Sequence, residues 1–287
     1  MSTAPLLPHG IVVPQPHSTL PRFGLICVGD ELLSGRRTDK HVAHTIDMLQ
    51  KRGLQLAYVH MVGDGRADIA QQLRVAFASG DVVFSCGGIG ATPDDQTRQA
   101  AAEALGEELV LHPVAAEFIL QRSREMAEQK GLVFDPASPD HAQRLQMALF
   151  PRSAQIIPNP YNRIAGFSCG HVHFVPGFPA MAWPMLEWVL DQYYAQWAGQ
   201  QRYAEASALV QDAVEAKLTP LMLDIEDRFP EVKVFSLPTL QHPEYGPHID
   251  LGVKGSPAQV EQAFAYLLEG LQGYGCKVAK VLPLVMR

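Results

Sequence analysis

The stretch whose residue types are best suited to chemistry is Cys86-Gly-Gly-Ile-Gly-Ala-Thr-Pro-Asp-Asp-Gln-Thr-Arg98, set between an apolar run and a helix-forming segment. Gly87, Gly88 and Gly90 carry no Cβ, so their backbone amides can come close to a ligand. The helix expected just after the loop offers unpaired N–H groups and a partial positive charge, and loop and helix together make an anion site. Gly87, Gly88, Gly90, Thr92, Asp94 and Thr97 are therefore the candidate phosphate- and ligand-binding residues. Of the paired carboxylates Asp94 and Asp95, one can cap the helix while the other holds Mg²⁺ against a phosphate. The pattern is not a dinucleotide fingerprint, because a GxGxxG begun at Gly88 would need glycine where Pro93 stands, and no Gly-Lys-Ser/Thr follows to make a Walker A loop. The alternative is an ordinary turn with a capping Asp.

A second candidate is Val28-Gly-Asp-Glu-Leu-Leu-Ser-Gly35, directly after the first apolar run. Asp30 and Glu31 would share a sheet edge with Asp95, an acidic rim that suits a metal better than a bare phosphate. Asp64, in Gly63-Asp64-Gly65, adds a carboxylate at that edge, although Gly-Asp-Gly is also a common turn. Asn159, between two prolines, and Pro176-Gly177, which open the segment reaching Met181, lie in rigid neutral loops able to wall a pocket for a planar ring; the alternative is again mere turns. His171 and His173 read as strand residues, and His41 and His44 as a solvated helix face. No serine sits in a GxSxG elbow.

These segments need elements to hold them. Residues 23–28 form a continuous apolar run, as expected of a strand buried on both faces. A helix is expected from about residue 39, with Thr38 as N-cap, Val42, Ile46 and Leu49 on one face and Gly53 at its end. Residues 55–62 and 81–86 read as strands, 66–79 and 95–105 as helices closed by Gly80 and Gly106. Alternation of this kind predicts an α/β fold with an open, mostly parallel sheet covered on both sides, whose ligands bind outside the carboxyl ends of the strands. Helices are expected at 113–130, 140–149 and 180–197, and strands at 156–157 and 171–175. From about residue 200 the pattern becomes a small α+β unit of βαββαβ order. In it, residues 212–229 read as helical with a restart at Thr219-Pro220. The expected organisation is a Pro-rich tail (1–21), an α/β domain (22–199) and the small unit (200–287).

Composition narrows the function classes. With 47% hydrophobic and 18% charged residues the chain is globular, and with a net charge of −7 nucleic acid is a poor partner. The four cysteines are scattered, without CxxC, which fits free thiols in a reducing cytoplasm rather than disulfides or structural zinc. The first 21 residues lack Lys and Arg and hence the basic start of a secretion signal. Residues 164–186 are free of charge, but three glycines and three prolines break them, so they read as buried core and turns rather than a membrane span.

Taken in order, Gly29-Asp-Glu-Leu-Leu-Ser-Gly35, Val62-Gly-Asp64 and Gly87-Gly-Ile-Gly-Ala-Thr-Pro-Asp-Asp-Gln-Thr-Arg98 resemble the molybdopterin-binding (molybdenum cofactor biosynthesis) domain. The branches nearest in this pattern are the CinA (competence/damage-inducible protein A) family and the N-terminal domain of eukaryotic FAD synthases. Leu105-Gly106, Asn159-Pro160 and Pro176-Gly-Phe-Pro-Ala-Met181, placed where the family has its Pro-Gly-x-Pro loop, support it. Ala91 stands where many CinA-type members carry proline. The resemblance covers roughly residues 22–195. It implies a three-layer α/β/α fold binding molybdopterin or a related small phosphorylated molecule, with Asp95 and Asp64 in catalytic roles. In the CinA branch it implies a metal-dependent pyrophosphatase acting on ADP-ribose, the metal (Mg²⁺, Mn²⁺ or Co²⁺) being held here by Asp30, Glu31 and Asp95. The small unit resembles the KH-like domain found there, but it has a net charge of −3 and no GxxG loop, so RNA binding is not expected. Related domains imply a dimer or trimer. The deamidase domain of longer CinA proteins would lie beyond residue 287, so no deamidase activity is expected.

Overall fold

The computed structural model describes residues 20–199 and 204–286, so the expected tail lies, up to residue 19, outside the described residues. The chain divides into two compact units, one with residues up to 49 and 55–197, the other with residues 50–54 and those from 198 onward.

In the first unit β1 (Phe23–Val28) is buried at every position, as its unbroken apolar run requires. There follow α1 (Asp30–Leu33), a single turn absent from the sequence reading, and then α2 (His41–Gln50), β2 (Leu56–Val62), α3 (Arg66–Ser79), β3 (Val82–Cys86) and α4 (Thr97–Leu105). The cap of α2 is Asp39 and not Thr38: its carboxylate accepts from the amides of His41 (3.1 Å) and Val42 (2.9 Å), a charged acceptor at the positive end of the helix. The buried face of α2 also differs from the expected one. His41, Thr45, Met48 and Leu49 point inward, while Ile46 is 37% exposed, because His41 and His44 have partners described below.

The chain continues through β4 (Leu109–Leu111), α5 (Pro113–Gln129), α6 (Pro139–Leu145), β5 (Leu149–Pro151), β6 (Gln155–Ile157), β7 (Gly166–Cys169), β8 (Val172–Val175) and α7 (Pro179–Tyr193). The helix expected over 140–149 stops early, because Leu149–Pro151 is taken up in an antiparallel pair with β4 and Phe150 stacks on Phe167 at 4.7 Å. The charge-free segment 164–186 supplies β7, a tight turn at Gly170, β8 and the start of α7. Among the described residues no helix is long and apolar enough to cross a membrane.

The main sheet has the order β2-β1-β3-β8-β7-β6, with the first four strands parallel and the last two pairings antiparallel. Residues of α3, α4 and α5 pack with Ile26, Val83 and Phe174 in one core. On the other face Phe23 and Phe84 meet Tyr194 and His173 beyond and beneath α7. This is the α/β/α arrangement expected.

The second unit contains β9 (Ala204–Gln211), α8 (Glu215–Arg228), β10 (Val232–Thr239), β11 (His248–Gly255), α9 (Pro257–Gly273) and β12 (Lys277–Met286). Its sheet, β10-β11-β9-β12, is antiparallel throughout, the split βαβ arrangement. Helix α8 runs unbroken through Pro220, with no restart at Thr219; the Thr219 hydroxyl donates to the Glu215 carbonyl at 3.1 Å.

Candidate functional site

Register brings four strand ends together. Val28 pairs with Val62, Cys27 with Cys86 and Cys86 with Val175, so the segments leaving β2, β1, β3 and β8 emerge at one edge of the sheet. Sheets of this kind bind ligands at that edge. A cleft of about 560 Å³ opens there. Gly87, Gly88, Gly90, Thr92, Asp94 and Asp95 line it, together with Glu31, Asp64, Pro176 and Gly177. Ten of the residues singled out in the sequence therefore share one cavity.

The glycine loop is held by its neighbours. The Gly87 amide donates to the Val175 carbonyl (3.0 Å), tying the loop to the end of β8. Gly88 sits at φ +68° directly against the Thr97 hydroxyl, where a side chain would be both strained and obstructed. Asp95 accepts from the amide (2.8 Å) and the hydroxyl (2.5 Å) of Thr92, closing a turn within the loop. Neither Asp94 nor Asp95 caps α4. The helix begins two residues later than expected, and the Gly88 carbonyl takes the Thr97 amide (2.9 Å) in place of a side-chain cap. Where the family pattern has proline, the Ala91 carbonyl accepts from the Gln143 side-chain amide at 2.6 Å.

Asp30 and Asp64 come together, each accepting the other's backbone amide at 3.0–3.1 Å. Burial pushes the Asp64 carboxyl above its ordinary range; the Asp30 amide opposes this, and the charges of Asp30, Glu31 and Asp94 reinforce it. Exposed Asp94 is drawn below its ordinary value by the Thr92 hydroxyl and its own amide. The thiols bordering this edge are buried, which pushes Cys27 up to about 12 and raises Cys86 as well.

Three candidates lie off the cleft wall. Asp30 flanks it through Asp64. Thr97 is fully buried beneath the loop, its hydroxyl donating to the Gly87 carbonyl (3.0 Å). Asn159 is buried too, and its side chain is spent inside its own loop. It donates to Asn162 Oδ1 (2.8 Å) and the Ile164 carbonyl (2.9 Å) and accepts the Tyr161 amide (3.0 Å). In its place Asn162 and Ile164 reach the cleft, with Met147, Phe178 and Met181 completing the apolar wall. Arg37 also lines it and lies 5.9 Å over the Phe178 ring, the one basic side chain of the wall among the described residues. Phe178 and Met181 belong to the proline-fixed loop that marked a ring-binding wall in the sequence; Met147, Asn162 and Arg37 carried no local signal.

The histidines act as structural posts. His41 Nε2 donates to the Gly177 carbonyl (3.0 Å), fixing the Pro176–Phe178 loop, and His44 stacks on Trp183 at 4.0 Å, so neither is a solvated surface residue. His173, an interior strand residue as expected, is hydrogen-bonded by Ser168 (2.8 Å) and Tyr194 (2.7 Å).

The family model for the probable molybdopterin binding domain matches residues 24–196. A protein of Aeropyrum pernix is 31% identical over 257 residues, covering 88% of this chain and 91% of that one. A CinA-like protein of Citrifermentans bemidjiense is 31% identical over 225 residues, 74% of this chain and 52% of that one, so the chain spans about half the length of that relative. Among solved structures, the crystal structure of the protein CinA, of unknown function, from Thermoplasma acidophilum is 29% identical, with a TM-score of 0.50 over 60% of this chain and 97% of that one. The chain belongs to the family of the probable molybdopterin binding domain, with CinA-like proteins among its relatives.

Proposed function

We propose that the cleft binds a small phosphorylated ligand with a planar ring, of molybdopterin or nucleotide type, and hydrolyses the pyrophosphate of an ADP-ribose-like nucleotide with a divalent cation. The observation that carries this reading is the charge arrangement of the cleft. Asp64, crowded by Asp30, Glu31 and Asp94, shares one cavity with a glycine loop at the start of a helix. Phosphate suits the loop, where backbone donors meet developing negative charge. Met147, Ile164, Phe178 and Met181 suit the ring.

The carboxylates fit a cation in charge. Among the described residues no three of His, Cys, Asp and Glu converge as ligands of one ion, so Mg²⁺, Mn²⁺ or Co²⁺ would take Asp30, Glu31 or Asp95 and complete its shell with water and phosphate oxygens. Such an ion neutralises phosphate charge and lowers the pKa of a bound water. The chain's own part is to hold the phosphates on the Gly88 and Gly90 amides and to accept the proton of the attacking water on a carboxylate. Asp64, whose proton affinity is raised, suits that task. Water adds to one phosphorus, the bond to the bridging oxygen breaks, and two phosphate monoesters leave. Following the family resemblance, the protein works in the cytoplasm as a homo-oligomer, dimer or trimer, without nucleic acid.

The test is product chromatography with ADP-ribose, FAD and NAD, each with Mg²⁺, Mn²⁺ and Co²⁺. AMP released from ADP-ribose and lost in Asp95→Asn and Asp64→Asn is expected. A second reading, a non-catalytic molybdopterin- or nucleotide-binding module, is favoured by the carboxylates of Asp30, Asp64 and Asp95 being already engaged by backbone amides. Saturable binding without product in any combination would establish it instead.

A further inference from the structure

Arg98 breaks a local rule. It stands in the first turn of α4, where a cation opposes the helix dipole, and only 3% of it is exposed. Among the described residues no carboxylate lies within ion-pair distance of it, and its Nε has no hydrogen-bond partner. Burial lowers its pKa to about 10, with the Asp95 charge opposing, so the guanidinium stays protonated at neutral pH. Its Nη1 donates to the Ile89 carbonyl at 2.7 Å.

That contact completes a series. The Gly87 carbonyl accepts from the Thr97 hydroxyl, the Gly88 carbonyl from the Thr97 amide and the Ile89 carbonyl from Arg98. Three successive peptides thus turn their oxygens to the first turn of α4. In a trans peptide the N–H points opposite to the C=O, and the described chain has no cis bond. The amides of Gly88, Ile89 and Gly90 are therefore directed away from α4. All three residues line the cleft, and among the described residues none of these amides has an acceptor. Gly87 and Gly88, at φ +110° and +68°, allow the chain to make the turn, a concavity of the kind that binds anions.

We propose that Arg98 is a positioning residue, which with Thr97 locks three consecutive amides into one phosphate-binding nest and supplies the buried positive charge behind it. The ligand atoms it serves are the oxygens of a phosphate or pyrophosphate group. The proposal rests on the phosphate-binding reading of the cleft and assigns the residue that orients the loop.

The test is calorimetric titration of the full chain with inorganic pyrophosphate, without metal, for the wild type, Arg98→Lys and Arg98→Met. Loss of one charged hydrogen bond predicts about tenfold weaker binding in Arg98→Met. Arg98→Lys, which keeps a cationic donor, is expected to recover most of it, a rescue that a merely space-filling role would not produce. Because Arg98→Met could fail to fold, the wild type supplies a second measurement: the amide proton resonances of Gly88, Ile89 and Gly90 should move downfield together on pyrophosphate addition. Wild-type binding with those resonances unmoved, or undiminished binding by folded Arg98→Met, overturns the role of Arg98 and leaves the cleft reading intact. No pyrophosphate binding by the wild type overturns both.

Discussion

Asp30 and Asp64 are joined by a reciprocal pair of hydrogen bonds across the ends of β1 and β2, the Oδ2 of Asp64 taking the Asp30 amide and the Oδ1 of Asp30 taking the Asp64 amide. Two carboxylates so close repel, and repulsion is tolerated where a ligand relieves it. The pair also positions: it fixes the loops after both strands at the cleft, which neither short segment could do alone.

Replacing Asp64 by Asn separates the two roles. The Asn carbonyl can still accept the Asp30 amide, so the bridge survives while one charge disappears. Asp64 holds its proton more tightly folded than unfolded, so its contribution to stability is full below pH 3.8 and is lost as pH rises through the folded value. At pH 7 the Asp64→Asn chain is therefore expected to melt higher than the wild type, while the upward shift caused by Mn²⁺ is reduced. Calorimetric melting with and without Mn²⁺ checks both; a lower melting point for the variant would show that the charge is not a burden on the fold.

Gly88 and Gly106 offer a controlled pair, since both lie at φ +68°. A Cβ at Gly106 meets nothing within 4 Å, whereas at Gly88 it runs into the Thr97 hydroxyl. Gly106→Ala should cost only the backbone term, about 1–2 kcal/mol. Gly88→Ala should cost more, because it also displaces the hydroxyl that holds the Gly87 carbonyl, and should abolish pyrophosphate binding. Urea unfolding of both variants decides; equal losses would mean that the loop adapts.

Much of this site could be read from sequence because a parallel sheet gathers its strand ends. Once residues 23–28 and 81–86 read as buried strands, the segments after them had to meet, and Glu31, Asp64 and the loop from Gly87 to Asp95 do meet. What escaped was decided by packing over long separations. The apolar residues of α2 pointed to a face with Val42 and Ile46, yet the helix turns His41 inward to reach the Gly177 carbonyl 136 residues away. Asn159 carried the visible signal, Asn between prolines, but its amide is consumed in shaping the turn that delivers Asn162 and Ile164. Arg98 closed the motif in the sequence without a role of its own, and only its burial separates it from a surface arginine.

That turn gives a further expectation. In Asn159→Asp the amide that donates to Asn162 Oδ1 and the Ile164 carbonyl becomes an acceptor facing two acceptors in a buried position. A loss of about 3 kcal/mol follows from leaving such groups unpaired. Because Asn162 and Ile164 line the cleft, nucleotide binding should weaken as well, even though Asn159 does not itself line it. Chemical unfolding and calorimetric titration would register the two effects, and unchanged affinity in a destabilised variant would uncouple the turn from the site.

His173 links the stability of the α/β unit to pH. Burial, with a smaller contribution from His171, lowers its pKa to about 3, and both ring nitrogens are already engaged. The unfolded chain takes up a proton near pH 6.5 that the folded chain refuses until about pH 3. Stability linked to this group is thus complete above pH 6.5 and declines as pH falls through that window, by up to about 1.4 kcal/mol per pH unit. Carboxylates titrate over part of the same range, so the informative quantity is the difference from His173→Gln, which has no proton to gain. The variant should be less stable than the wild type at pH 7, having lost a fitted hydrogen-bonded ring, and the gap should narrow towards pH 4. Parallel slopes for the two proteins between pH 6.5 and 4 would mean that His173 is protonated within the fold.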